Sequence, residues 1–240
     1  ETNIDLNLLD RKTVSALLPR RPLDGHKGTF GHVLVVAGSR NFVGASSLAS
    51  MAAYRTGAGL VTLATPESVY RLLAPQTQEV TFLPLPETAD GVVSPAGTEI
   101  VLRTLPSIDA LLVGCGLSQT DSSRRFVSDL LLSQSLPMPC VLDADALNNL
   151  ATTHQWWKRL NAHAVLTPHP GEMERLVEHS VDEIQQDRVN VSKEAAHRWG
   201  QVIALKGAFT IIASPTGSTR LNPNANPALG SGGTGDVLSG

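Results

Sequence analysis

The sequence predicts an α/β fold with a mainly parallel central sheet and helices on both faces. Short apolar segments rich in valine alternate with helical segments along most of the 240 residues. These apolar segments are continuous, which is typical of parallel strands buried on both faces. Strand and helix follow each other as βαβ units, so we expect one layer of strands between two layers of helices.

The first βαβ unit is predicted from residue 32 onward. Residues 32–37 (HVLVVA) predict a strand, residues 44–56 a helix that ends at Gly57, and residues 60–65 (LVTLAT) a second strand. The pattern recurs with strands at 110–114, 140–144 and 164–167, a helix at 122–133, and short helices between 145 and 160.

The last part of the predicted sheet follows a long helical segment. Ser180 and Glu183 form a capping box for a helix that runs, with a break near Asp187, to Gly200. Residues 201–206 then predict a strand and residues 210–214 a hairpin-type return. The proline-bearing stretches at 84–95 and 222–227 are interpreted as surface loops, so a single domain over residues 1–240 is predicted.

Composition excludes several classes of protein. Hydrophobic residues make up 42% of the chain, and the formal charge is only −3 without a basic block, which argues against disorder and against nucleic acid as a partner. The apolar segments are strand-length, so no membrane span is predicted. Only Cys115 and Cys140 are present and no secretory signal is visible, which favours a cytoplasmic protein whose cysteines are small buried hydrophobes. Trp156, Trp157 and Trp199 are interpreted as packing residues.

Four glycines close to the end of the chain predict a phosphate-binding loop. The segment NPALGSGGTGDVLSG (226–240) allows backbone N–H groups to converge on an anion. GSGGTG fits the dinucleotide fingerprint literally but follows a loop rather than a strand, and no P-loop lysine is present. Asp236 beside such a loop is predicted to be a general base. A flexible glycine hinge and a simple helix-start aspartate stay open as alternatives.

A second motif, TPHPGEMERL (167–176), directly follows a predicted strand. His169 could bind a ligand by a hydrogen bond, and Glu172 could hold Mg²⁺ through water. The alternative is that Glu172 favours the first turn of its helix and His169 is a loop residue.

Further polar or glycine residues follow other predicted strands. They are Lys206 and Gly207 in LKGAFT, Asp143 and Asp145 in VLDADALN, and the glycine turns in GCGL (114–117) and VGAS (43–46). Because the carboxyl ends of parallel strands meet at one edge, these residues predict one ligand-binding crevice.

Four motifs in this order, HKGTFGHVLVVAGS, TPHPGEMERL, LKGAFT and NPALGSGGTGD, resemble the ADP- or ATP-dependent NAD(P)H-hydrate dehydratases, from about residue 25 to the last residue. The resemblance implies a ribokinase-like fold. It also implies nucleotide-dependent dehydration of NADH hydrate and NADPH hydrate in their S form: ADP or ATP phosphorylates the ring hydroxyl, and phosphate then leaves.

The resemblance also implies roles for individual residues. Ala45, Gly116 and His169 would contact the hydrate, and Asp236 would activate its hydroxyl. Glu172 would help to position Mg²⁺. The nucleotide would be lined by Gly235 and by Lys206, Gly207, Ala208, Phe209 and Thr210.

Members of the family continue for several helices beyond GTGD, so we expect this chain to lack the C-terminal helices and to be truncated there. The absence of a start methionine leads us to expect the dehydratase half of a bifunctional repair enzyme, fused to an N-terminal epimerase domain. An uncovered apolar face would favour a homo-oligomer.

Two other functions are compatible with the sequence. One is a ribokinase-like kinase of a small alcohol or vitamin precursor, whose phosphorylated compound would be the final product. The other is a nucleotide-binding regulatory module without catalysis, which would tolerate Asp236→Asn.

Overall fold

The computed structural model describes residues 6–240, and a ten-stranded sheet runs through them in the order β1-β10-β9-β8-β7-β6-β5-β2-β3-β4. The strands are β1 (Asn7–Leu8), β2 (His32–Val36), β3 (Leu60–Pro66), β4 (Thr81–Leu85), β5 (Ala110–Val113), β6 (Cys140–Leu142), β7 (Ala164–Leu166), β8 (Val202–Leu205), β9 (Ile211–Ala213) and β10 (Thr219–Leu221). From β4 to β8 every pairing is parallel, whereas β9 is antiparallel to both β8 and β10.

The helices connect the strands and cover the sheet. They are α1 (Arg11–Leu17), α2 (Val43–Thr56), α3 (Glu67–Leu73), α4 (Gly97–Thr104), α5 (Asp121–Leu132), α6 (Asp145–Leu150), α7 (Pro170–Leu176), α8 (Val181–Gln186), α9 (Arg188–Trp199) and α10 (Thr234–Ser239).

Successive residues of a central strand point into two different cores. Leu34 and Val36 of β2 belong to a large cluster that also contains Phe126 of α5. Val35, between them, belongs to a smaller cluster that contains Ala49 of α2. The continuous apolar sequence of β2 therefore reflects burial on both faces, and the predicted α/β architecture is confirmed.

The predicted strands and the hairpin return are confirmed to within a few residues. Leu205 of β8 pairs with Ile211 of β9 in an antiparallel ladder. The break near Asp187 is also confirmed: α8 ends at Gln186, and the Asp187 side chain accepts a hydrogen bond from the N–H of Asn190 at the start of α9.

The interpretation of residues 84–95 as a surface loop was wrong in two places. Pro84 lies inside β4, the last strand in the described sheet beside β3, and proline is tolerated there because an edge strand needs no donor on its outer side. Val92 and Val93 are buried. The interpretation of residues 222–227 holds, since residues 223–227 are exposed.

The tryptophans are packing residues, as predicted, and they pack against one another. The ring centroids of Trp156 and Trp199 are 5.1 Å apart, and both side chains are buried. Cys115 and Cys140 are free and buried. Within residues 6–240, the helices are all too short or too polar to cross a membrane.

Candidate active site

Six polar or glycine-bearing loops lie at the edge of the sheet formed by the carboxyl ends of the parallel strands. The loops follow β2, β5, β6, β7 and β8, and the sixth precedes α10. The register of the strands places the loops side by side. Leu142 at the end of β6 pairs with Leu166 at the end of β7, and Leu166 pairs with Ile203 of β8. All the site residues predicted from the sequence lie in or beside these loops.

Lys206 joins two buried carboxylates at this edge. Its Nζ lies 2.6 Å from Oδ1 of Asp143 and 3.6 Å from Oε2 of Glu172. The second oxygen of Asp143, Oδ2, accepts a hydrogen bond of 2.6 Å from Oγ of Ser239 in α10. The structure therefore connects the end of β6, the end of β8 and the last helix through one carboxylate.

His169 and Glu172 form the capping box at the start of α7. The imidazole Nδ1 of His169 accepts from the N–H groups of Gly171 and Glu172 at 3.1 and 3.2 Å, and the Glu172 carboxylate accepts from the His169 N–H at 2.8 Å. Pro170 occupies the first helical position, where its missing N–H costs nothing. Because Nδ1 is an acceptor, a neutral His169 carries its proton on Nε2, and about half of the side chain is exposed.

Burial raises the pKa of Glu172, and the nearby charge of Lys206 partly offsets this. Both oxygens of the carboxylate face nitrogen: Oε2 faces the His169 N–H and Lys206, and Oε1 lies 3.4 Å from Nε2 of His169. Across residues 6–240, the structure contains no group of three or more His, Cys, Asp or Glu side chains that could hold a metal ion. The side chains therefore do not form a metal cage around Glu172, whose metal role stays a prediction.

Asp236 lies in the first turn of α10 and is half-buried. Burial raises its pKa, and the neighbouring Asp143 raises it further, whereas contact with Cys115 and the charge of Lys206 lower it. Gly233, with φ +90°, forms the N-cap of this helix. A carboxylate with a raised pKa beside an ammonium group is suited to accept a proton in catalysis.

The glycine loop after β5 brings Ala45 and Gly116 together. An ideal Cβ on Gly116 would stand 3.1 Å from Cβ of Ala45 and 2.6 Å from Cβ of Phe42, and Gly116 has φ +67°. Ser39 fixes this approach, since its Oγ donates to the Gly116 carbonyl oxygen at 2.8 Å. Cys115, one residue earlier, contacts Asp236. Of the three residues predicted to contact the hydrate, Gly116 therefore lies near the predicted base, and Ala45 packs against Gly116.

The segment 206–210 is the tight turn between β8 and β9. Gly207 has φ +146° and Phe209 has φ +60° with half of its side chain exposed. Thr210 Oγ1 donates to the Gly207 carbonyl oxygen at 3.2 Å. Gly235 lies opposite this turn, since an ideal Cβ on it would stand 3.5 Å from Nζ of Lys206. Of the residues predicted to line the nucleotide, Lys206 and Gly235 thus lie close together, and Ala208 is exposed at the tip of the turn.

Sequence reasoning missed two residues that support this turn and α10. Arg188, at the start of α9, donates from Nη2 to the carbonyl oxygens of Leu205 and Lys206 at 2.9 and 3.2 Å. Ser239 donates to Asp143 across 96 positions of sequence. Arg188 follows no strand and belongs to no predicted motif, and Ser239 lies at the end of the glycine-rich segment 226–240 without a role having been predicted for it.

Comparison with known proteins agrees with these motifs. The family model for NAD(P)H-hydrate dehydratase matches residues 33–240. The bifunctional NAD(P)H-hydrate repair enzyme of Moorella thermoacetica is 44% identical over 223 residues, which cover 93% of this chain and 42% of that protein. The chain thus spans less than half the length of this curated relative.

Solved structures share the architecture. The crystal structure of ADP/ATP-dependent NAD(P)H-hydrate dehydratase from Bacillus subtilis, co-crystallised with ATP/Mg²⁺, superposes with a TM-score of 0.81 at 35% identity, covering 100% of this chain and 79% of that one. A ribokinase-like superfamily protein from Enterococcus faecalis superposes with a TM-score of 0.82 at 22% identity, covering 100% and 79%, and shows the same fold. The resemblance and the ribokinase-like fold are confirmed, and the chain belongs to the NAD(P)H-hydrate dehydratase family.

Proposed function

We propose that this chain catalyses nucleotide-dependent dehydration of the S forms of NADH hydrate and NADPH hydrate, restoring NADH or NADPH. The observation that carries the proposal is the convergence of Asp236 and Lys206, from the glycine-rich segment and the β8 end, around the buried Asp143. A candidate base and a fixed positive charge at one sheet edge suit phosphoryl transfer to a hydroxyl group.

In the proposed reaction, Asp236 accepts the proton of the ring hydroxyl as that oxygen attacks the terminal phosphorus of the nucleotide. The phosphoryl group moves to the ring oxygen, and ATP leaves as ADP or ADP as AMP. The carbon–oxygen bond then breaks, phosphate departs with the oxygen, and loss of a proton from the neighbouring ring carbon forms the double bond. The raised pKa makes Asp236 a stronger base than an exposed aspartate.

Placement of the two substrates follows from the loops. Gly116 is buried against Phe42 and Ala45, and this close packing would place the small, partly exposed side chain of Ala45 where a flat ring could lie against it. His169 would donate from Nε2 to the hydrate, since its Nδ1 is occupied by the helix cap. The turn 206–210 and Gly235 would hold the adenine nucleotide, with Lys206 facing its phosphates.

Magnesium would enter as the partner of the nucleotide phosphates. Mg²⁺ commonly keeps several waters and is held by substrate phosphates with one or two carboxylates. The oxygens of Glu172 already accept from His169 and face Lys206, so Glu172 would reach the ion only through water. The metal would neutralise phosphate charge, while the proton transfer described above uses Asp236 alone.

The relative from Moorella thermoacetica is a bifunctional repair enzyme, of which this chain spans 42%. We propose that the dehydratase acts beside an epimerase domain of the same protein. Such a domain would convert the R hydrate into the S form that the dehydratase consumes.

The test is recovery of absorbance at the reduced-nicotinamide band after the protein, Mg²⁺ and either ADP or ATP are added to purified NADH hydrate. Recovery should require the nucleotide and should fall by roughly 10²- to 10⁴-fold in Asp236→Asn, because one general base is lost. Phosphorus NMR of the same mixture separates the alternative kinase function: free phosphate supports the dehydratase, and accumulation of a stable phosphoester contradicts it.

A further inference from the structure

The carboxylate of Asp143 touches both halves of the proposed reaction centre. Oδ1 accepts from Lys206 of the nucleotide turn at 2.6 Å, and Oδ2 accepts from Ser239 at the end of α10 at 2.6 Å. Asp236 lies three residues before Ser239 on the same short helix. One side chain therefore fixes both the predicted phosphate-binding cation and the element that carries the predicted base.

Burial makes these two contacts strong. Asp143 is 1% exposed, and the Lys206 side chain is only 17% exposed. A buried carboxylate is stable in its charged form only with a partner charge and with hydrogen bonds to its remaining lone pairs. Lys206 supplies the charge and Ser239 supplies a further hydrogen bond, so the position of each depends on Asp143.

The main chain around Asp143 is also held in place. An ideal Cβ on Gly114 would stand 1.8 Å from the carbonyl oxygen of Asp143, so β5 and β6 meet there without room for a side chain. The next residue, Ala144, has φ +49°, a conformation that non-glycine residues adopt at a cost. Such strain persists only where the surroundings fix it, and it is concentrated at functional sites.

We propose that Asp143 is a positioning residue that aligns Lys206 with Asp236, so that nucleotide phosphate and base act on the same hydroxyl. The inference rests on the proposed function. Each oxygen of Asp143 already accepts a hydrogen bond, one from Lys206 and one from Ser239, so we assign Asp143 a positioning role. Asp143 would influence nucleotide binding by positioning Lys206, and it would influence deprotonation of the hydrate's ring hydroxyl by positioning α10, which carries Asp236.

The test compares Asp143→Asn with two variants that each remove one contact, Ser239→Ala and Lys206→Met. Asp143→Asn should raise the KM for ADP roughly tenfold and lower kcat roughly 100-fold, since a misplacement of about 1 Å has that effect. Ser239→Ala should lower kcat and leave the KM for ADP unchanged, whereas Lys206→Met should raise the KM for ADP. Ser239→Ala should lower kcat less when it is added to Asp143→Asn than when it is made in the wild-type protein. The reason is that Asp143→Asn has already weakened the hydrogen bond between these two side chains.

Asp109→Asn is the matched control. This carboxylate accepts from the His32 N–H at 2.8 Å at the opposite edge of the sheet, and its loss should leave KM and kcat unchanged. Calorimetric titration with ADP and Mg²⁺ measures nucleotide affinity, the property assigned to the contact between Asp143 and Lys206, and it needs no turnover. An inactive wild-type protein therefore refutes the proposed function, whereas weaker ADP binding by Asp143→Asn still supports the alignment.

Wild-type kcat and ADP affinity in Asp143→Asn would overturn the inference. If that variant does not fold, Ser239→Ala decides instead. An unchanged kcat in Ser239→Ala would then show that Asp143 does not place α10. Ser239→Ala is expected to affect kcat, and Lys206→Met is expected to affect the KM for ADP. A rise in the KM for ADP and in the KM for NADH hydrate in Ser239→Ala, without a change in kcat, would contradict this expectation.

Discussion

The carbonyl oxygen of Asp143 occupies the space that a side chain on residue 114 would need. An ideal Cβ on Gly114 would stand 1.8 Å from that oxygen and 3.0 Å from Cβ of Ala146, and Gly114 has φ +139°. The contact joins the ends of β5 and β6, the two strands that precede the predicted hydrate loop and the buried carboxylate. Glycine is required here both by its backbone conformation and by the lack of space.

We expect Gly114→Ala to lower the free energy of unfolding by about 3 kcal/mol, from backbone strain and overpacking together. Denaturant unfolding measures the loss. The matched control is Gly200→Ala at the end of α9, where φ is +67° but no atom lies within 4 Å of an ideal Cβ. It should cost about 1 kcal/mol, from the left-handed conformation alone. Equal losses in the two variants would show that the contact with Asp143 is not tight.

The pH dependence of the reaction should report the ionisation of Asp236. A base must be unprotonated, so kcat/KM should fall as the pH falls through the pKa of Asp236, which burial raises above its ordinary value of 3.8. The contact with Cys115 lowers that pKa, so Cys115→Ala should move the acid limb to higher pH and leave the rate above the limb intact.

Cys115→Ser serves as the comparison for this profile, because a hydroxyl group can still donate a hydrogen bond to the Asp236 carboxylate. Its acid limb should lie at or below the wild-type position. A limb that moves to lower pH in Cys115→Ala would mean that the thiol does not stabilise the charged form of Asp236.

Arg188 should determine nucleotide affinity although it belongs to no predicted motif. Its guanidinium donates to the carbonyl oxygens of Leu205 and Lys206, and an ideal Cβ on Gly207 would stand 3.0 Å from it. Lysine cannot reproduce the planar fork of donors, so Arg188→Lys should raise the KM for ADP roughly tenfold, the effect of one charged hydrogen bond of about 1.5 kcal/mol.

Initial rates at varied ADP and varied NADH hydrate measure this effect. The KM for the hydrate should stay at the wild-type value, and Arg103→Lys, at an exposed ion pair with Glu99, should change neither constant. An equal rise in both KM values would indicate general loosening of the sheet edge instead of a local effect on the turn.

The layered fold was predictable because burial on both faces of the sheet produces continuous apolar segments such as 32–37 and 110–114. The helices α3 and α4 were missed, since each is a short surface helix without a side-chain cap at its start. The strand β4 was missed because Pro84 is atypical of a strand and is tolerated only at the edge of the sheet.

In the candidate site, too, some features were predictable from the sequence and others were not. Asp236, Lys206 and His169 each belong to a motif whose glycines or prolines shape a loop, so the sequence indicated them. The pairing of Lys206 with Asp143 spans 63 positions, and the contact of Ser239 with Asp143 spans 96. Local spacing contains no information on such contacts, because they follow from the order of strands in the sheet.

Those long separations have a consequence for folding. Besides the bond from Ser239 to Asp143, α10 is held through a hydrogen bond of 3.4 Å from Thr56 to the Gly240 carbonyl oxygen, across 184 positions of the chain. Contacts of high sequence separation carry a large loop-closure entropy and are slow to form. We therefore expect the helix that carries Asp236 to dock onto strands and helices already in place, so that a partly folded chain does not yet present its base to a nucleotide.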